Sequence, residues 1–137
     1  MVAQGGSPSG LAGKFGFAEG FVVQELGFDV DCDKSVSDAA RSVVELVDEN
    51  YQDIVDAVIL WWREDDGDLV DALVDALTPL ADNGVIWLMT PKAGRDGHVE
   101  PSDIADAAPT AGLQATSNIN AAPDWQGTRL VAPKSRR

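Results

Sequence analysis

The stretch Ile54 to Trp62, IVDAVILWW, decides how this chain folds. It is too short for a good helix and is rich in β-branched and aromatic side chains. A nearly unbroken apolar run suits a strand buried on both faces, so it predicts a central strand of a parallel sheet. Asp66-Gly67-Asp68 follows and starts a helix, with acids that complement the positive end of its dipole. Leu69, Leu73, Ala76, Leu77 and Leu80 form the expected buried face of that helix. Pro79 is expected to tighten its last turn and Asn83-Gly84 to stop it.

Toward the C-terminus, Val85 to Thr90 (VIWLMT) predicts a second apolar strand, followed by a polar loop from Pro91 to Glu100. Pro101-Ser102-Asp103 begins a short helix that ends near Gly112. Leu113 to Ala121 alternates, with Leu113, Ala115, Ser117, Ile119 and Ala121 on one face. With Thr128 to Pro133 it predicts a terminal hairpin turning through Ala122 to Gly127. Upstream, Gly20 to Leu26 (GFVVQEL) reads as a buried strand ending at Gly27, and Asp29 to Asp33 as a loop. Ser35 opens a helix whose Ser-Val-Ser-Asp start resembles a capping box. Val36, Ala40, Val43 and Val47 give it one apolar stripe, and it is expected to fail around Glu49-Asn50.

The order is β-α-β-α-β-α-β-β. Helices alternating with buried strands predict an α/β fold: a mostly parallel sheet of about five strands, helices on its faces and a C-terminal antiparallel hairpin. At 137 residues and 45% apolar, the chain suits one domain. We expect a flexible Gly/Ser-rich tail at 1–13, a single domain at 14–134 and a basic tail at 135–137. No apolar run approaches the roughly 18 residues that span a bilayer. The N-terminus lacks the basic and apolar regions of a signal peptide. The lone cysteine, Cys32, allows no intrachain disulfide. Together these predict a cytoplasmic protein.

The net charge is −13, and its placement is uneven. Residues 25–75 hold 16 acids and 3 bases, while the rest of the chain is balanced at 7 and 7. A one-sided negative field repels phosphate backbones, which argues against nucleic acid, and it attracts cations or a basic protein surface. Plain solubility is the alternative meaning of such a face.

Two resemblances follow from these residues. The element pattern from Asp56 to Lys134 resembles the second half of a class I SAM-dependent methyltransferase, a truncated Rossmann-like fold. It implies a sheet ordered first strand, second, third, last, fourth. More closely, VVQELGFDVD, DAVILWWREDDGDLVDAL, GVIWLMTPKAGRDGHVEPSDIADAAPTAGLQ and DWQGTRLVAPK resemble a family of actinobacterial proteins, domain of unknown function 3052, over about residues 15–134. That family brings no activity to carry over. Its genes tend to lie near a pyruvate dehydrogenase E1 gene and a peroxiredoxin gene, which implies a link to central metabolism or redox balance. The methyltransferase resemblance fails where the cofactor sits. Those enzymes have a Gly-rich turn after the first strand, and here Leu26-Gly27-Phe28-Asp29 holds one glycine. They also hold the cofactor ribose with an acid at the end of a second strand, and that strand and the next are expected to be missing. SAM is therefore not expected as a cofactor, and the first strand is expected to form an exposed edge.

In open α/β sheets, ligands bind outside the carboxyl ends of the strands. Three polar groups should meet there. Asp29, Asp31 and Asp33 copy the first ligand positions of an EF-hand loop, but Lys34 and Ala40 stand where its glycine and bidentate acid belong. A looser Mg²⁺ or Ca²⁺ site with Asp65, Asp66 and Asp68 competes with a solvated loop and helix caps. Arg63, Lys92, Arg95 and His98 form a candidate site for an anionic ligand. For Lys92 and Arg95 the competing interpretation is pairing with Asp65 and Asp66; for His98 it is an ordinary loop histidine. Cys32 between aspartates is a poor nucleophile. Trp125, in the expected hairpin turn, is expected to be partly exposed and is a candidate anchor for a partner, with packing over the hairpin as the competing interpretation.

The exposed first-strand edge adds an expectation of homodimerisation or partner binding there. We expect a non-catalytic binding or regulatory protein whose acidic face, residues 25–75, engages a protein partner, with no nucleic acid or membrane involved. The alternative is a small divergent transferase or metal-dependent enzyme acting at the strand carboxyl ends.

Overall fold

A computed structural model describes residues 14–132. The expected tails at 1–13 and 135–137 lie outside the described residues. The elements run β1 (Val22–Leu26), α1 (Lys34–Arg41), β2 (Glu45–Val47), β3 (Val55–Trp61), α2 (Leu69–Leu77), β4 (Leu80–Pro91), α3 (Pro101–Thr110), β5 (Gln114–Asn120) and β6 (Trp125–Val131). They form one six-stranded sheet in the order β2-β1-β3-β4-β6-β5. Neighbours among β2, β1, β3 and β4 pair in parallel, and β6 runs antiparallel to both β4 and β5. The order implied by the methyltransferase resemblance is kept, with one strand added at the outer edge.

IVDAVILWW behaves as its composition demands. Val58, Leu60 and Trp62 pack toward α2 and α3, meeting Leu73, Ala76, Ile104 and Ala107. Ala57, Ile59 and Trp61 pack toward α1 on the opposite side, with Val23, Val36, Ala40, Trp87 and Met89. Phe15 joins this second core, where its carbonyl accepts a 3.1 Å bond from Trp87 Nε1.

The largest departure from expectation is the end of the first helix. α1 is capped by Asp33, whose carboxylate accepts from the Ser35 N–H, and it stops at Arg41. The stripe residues Val43 and Val47 do not continue it. Instead Glu45–Val47 pairs in parallel with Val22–Gln24. The open polar groups of β1 provide a partner, and a β-branched segment takes it more readily than a further helical turn. So β1 is not an exposed edge, and the homo-association expected there loses its structural basis. The second strand expected to be missing is present in shortened form.

The other shifts are smaller. α2 is capped by Asp68 and ends at Leu77, and the Pro79 carbonyl accepts from the Val55 N–H. Leu80 therefore starts β4 instead of ending the helix. Asn83 (φ 69°) lies within an irregularity of β4, where the register moves from Val55↔Leu80 to Ala57↔Val85. The final turn is tighter than expected, so Trp125, Gln126 and Gly127 belong to β6. β5 is an edge strand exposed on both faces, except for half-buried Ile119, so its alternation buries little.

Candidate functional site

β1 lies between β2 and β3, and the chain leaves it in opposite directions, which makes the β1/β3 carboxyl ends the switch point where such sheets place ligands. At this point the two strands are in close contact. Gly27 has φ 79°, and a Cβ there would lie 2.5 Å from the Trp61 carbonyl oxygen. The single glycine of the turn thus serves strand-to-strand approach.

Arg63, the second residue after β3, fills the crevice. Its Nε donates to Asp31 Oδ2 at 2.9 Å and its Nη2 to Asp31 Oδ1 at 2.5 Å. Nη1 donates to the Gly27 carbonyl at 2.9 Å and lies 3.4 Å from Asp66 Oδ2. Nη2 also reaches Cys32 Sγ at 3.0 Å. All five guanidinium N–H donors thus face acceptors of this chain. The guanidinium carbon sits 5.4 Å from the centre of the Trp125 ring. The hydrogen bonds to Asp31 push the arginine's pKa further up and draw the Asp31 carboxyl below its ordinary value. Burial is the first cause that lifts the Cys32 thiol to about 11, with the Asp31 charge adding to it.

Trp125 is only 3% exposed, against the expectation of a partly exposed anchor. It opens β6 opposite Pro91, which tucks its ring under the crevice. There it packs edge-on against Trp61, centroids 4.8 Å apart, and donates from Nε1 to the Asp31 carbonyl at 3.2 Å. Trp61 Nε1 in turn donates to Glu25 Oε2 at 2.9 Å, which also accepts from Ser37 Oγ at 2.5 Å.

The other side chains of the candidate anion site each have a partner. Lys92 Nζ bonds Asn120 Oδ1, and Arg95 pairs with Asp124 at 2.6 Å, not with Asp65 or Asp66. His98 Nδ1 lies 2.9 Å from the Pro91 carbonyl, which can only accept, so Nδ1 carries the proton. Its Nε2 is 3.4 Å from Glu100. The six aspartates are not gathered either. Asp33 and Asp68 cap helices, Asp29 accepts from the Val30 N–H, and Asp31 and Asp66 hold Arg63. Asp65 is exposed. Among the described residues no group of three or more His, Cys, Asp or Glu side chains is arranged to hold a metal ion.

A groove of about 520 Å³ lies elsewhere and includes none of Arg63, Lys92 or His98. Its lining includes Gln24, Leu26, Tyr51, Ile54, Asp75 and Thr78. Sequence reasoning missed it. Ile54 counts as core in an apolar run yet is 64% exposed. Gln24 in the middle of an apolar strand was the available signal; its amide donates to the carbonyls of Asp48 and Tyr51.

This sheet and its crevice define a methyltransferase-like α/β protein. A SAM-dependent methyltransferase from Aquifex aeolicus superposes with TM-score 0.57 at 15% identity, covering 92% of this chain and 89% of that one. PigF with SAH gives 0.58 at 12% identity, covering 92% and 54%. At such identities the likeness is one of fold. The chain belongs to the family described as protein of unknown function DUF3052, whose model matches residues 12–134. Uncharacterised proteins of Mycobacterium tuberculosis and Mycobacterium bovis are 50% identical to it over 130 residues, covering 93% of this chain and 82% of theirs. No described helix is long and apolar enough to cross a membrane.

Proposed function

We propose that this chain is a non-catalytic binding protein of the cytoplasm that engages a protein partner through its acidic half. The observation that carries this reading is the Arg63 cluster. Its guanidinium spends every donor on Asp31, Gly27, Cys32 and Asp66 at the point where the fold's ligands bind. Those residues do not fit SAM, which needs an open glycine-rich turn and free donors at that point. Of the 16 acids of residues 25–75, six fall on β1, α1, β2, β3 and α2 and ten on the loops between them. They give the β2 side of the sheet a negative field suited to a basic protein surface and unsuited to nucleic acid or an anionic membrane.

A divergent transferase is the second reading, and one observation favours it. β2 is followed by exposed Asp48 and Glu49, so an acid does stand at the end of a second strand. Calorimetric titration with SAM and SAH, and thermal shift with Mg²⁺ and Ca²⁺, separate the two. The binding reading expects no saturable heat and no shift; saturable SAM binding overturns it. Pull-down from the native host at low and high salt is expected to lose its partners at high salt.

A further inference from the structure

A parallel sheet needs cover on both faces. α1 covers one face of β1 and β3, and α2 and α3 cover the other face of β3 and β4. β2 and β3 are joined by residues 48–54, which contain no helix. On the α2 side, the strip over β1 and β2 is therefore left with half-buried Val22, Leu26, Val47 and Tyr51. The 520 Å³ groove opens here, between this strip and the C-terminal end of α2.

Its chemistry is that of a receptor for an amphipathic cation. Leu26, Tyr51 and Ile54 supply apolar surface. The Gln24 amide already donates to two carbonyls, so it offers an incoming polar ligand little. Glu49, Asp53 and Asp75 line the groove, and among the described residues no lysine or arginine does. An enclosed site for a small polar molecule would instead need several placed donors and acceptors.

We propose that this groove receives an amphipathic helix of a partner protein, with its apolar face on Leu26, Tyr51 and Ile54 and basic side chains toward Glu49, Asp53 and Asp75. A crossover between parallel strands usually carries a helix, the β2–β3 link has none, and helix-in-groove docking supplies both the apolar and the charged contact. The proposal rests on the acidic-face reading above and names the partner's chemistry.

The test uses the full chain and a Leu/Lys peptide of about four helical turns, with a Leu/Glu peptide of the same pattern as control. In an NMR titration the Leu/Lys peptide is expected to shift the amides of Leu26, Tyr51, Ile54 and Thr78, and the Leu/Glu peptide none. Ile54→Glu makes the chain more acidic but removes the apolar anchor, so it is expected to weaken binding at least about tenfold. Ile54 is exposed, so folding of this variant is expected to persist. Equal or tighter binding by Ile54→Glu overturns the groove. Shifts confined to the Asp29–Asp33 loop also overturn it while leaving the acidic-face reading intact. Contacts from residues 1–13 or 133–137 to Leu26 and Ile54 in the free chain would show an internal occupant and overturn it as well. No binding of the Leu/Lys peptide overturns the groove, and saturable SAM binding beside it would sink the acidic-face reading too.

Discussion

Arg63 and Asp31 meet side by side, Nε to Oδ2 at 2.9 Å and Nη2 to Oδ1 at 2.5 Å, and so tie the exit of β3 to the loop after β1. Such a paired fork is stronger than a single contact. The Asp31 side chain is 52% exposed and that of Arg63 13%, so solvent discounts the pair. Arg63→Ala is expected to cost about 1–3 kcal/mol, because it also leaves the Gly27 carbonyl and the Trp125 face without their partner. Urea unfolding measures this, and a loss under about 0.5 kcal/mol would show the cluster to be ornamental.

The same pair makes stability depend on acid. Hydrogen bonding to Arg63 holds the Asp31 carboxyl below its ordinary value of 3.8. Its contribution is therefore complete above that value and is lost as pH falls from there through the lower folded value. Asp31→Asn should be less stable than the parent at pH 7, and the gap should close as the pH is taken below 3.8. A gap that stays constant with pH would mean that the contribution is not electrostatic.

Cys32 should be slow to react. A thiol lifted from 9.0 to about 11 is about a hundredfold less ionised at pH 8, and the thiolate is the reactive form. Labelling with a disulfide reagent is expected to be slower by about that factor in the native protein than in urea. Native labelling within threefold of the unfolded rate would contradict the half-buried, Arg63-contacted position.

Two glycines with similar backbones should respond differently to alanine. Gly27 and Gly94 have φ of 79° and 84°. A Cβ at Gly27 meets the Trp61 carbonyl oxygen at 2.5 Å, while one at Gly94 meets no atom of the described residues within 4 Å. Gly94→Ala should cost about 1 kcal/mol from the left-handed backbone alone. Gly27→Ala should cost about 3 kcal/mol or more, because the β1 exit must move from β3. Thermal unfolding of both variants tests the order, and equal losses would refute it.

Thr90 is fully buried, and its Oγ1 has no hydrogen-bond partner among the described residues. Replacing it with isosteric valine removes an unpaired hydroxyl and should leave stability unchanged or raise it by about 1 kcal/mol. A loss of more than about 1 kcal/mol in a urea melt would mean that the hydroxyl is paired through water.

Local sequence sets most of the core and the order of every element except the short β2. IVDAVILWW and VIWLMT have so little polar surface that burial on both sides is their only stable fate. Asp68 and Pro101 set helix starts by local chemistry, which needs no distant partner. The uneven charge was equally legible, because it is a matter of counting.

Tertiary structure decided everything that depends on who is nearby. Val43 to Val47 could extend a helix or form a strand, and only the open edge of β1 settled it as a strand. Trp125 looked like a turn residue until pairing with Pro91 placed it beneath Arg63. Arg63 looked like a free cation for a ligand. Asp31 lies 32 residues away in the chain, and the two meet only because β1 and β3 are neighbours. The groove, too, is a product of packing, since it exists where the short β2–β3 link leaves part of the sheet uncovered. Periodicity and caps are local and can be read along the chain; the partners of an ion pair and the cover of a sheet face cannot.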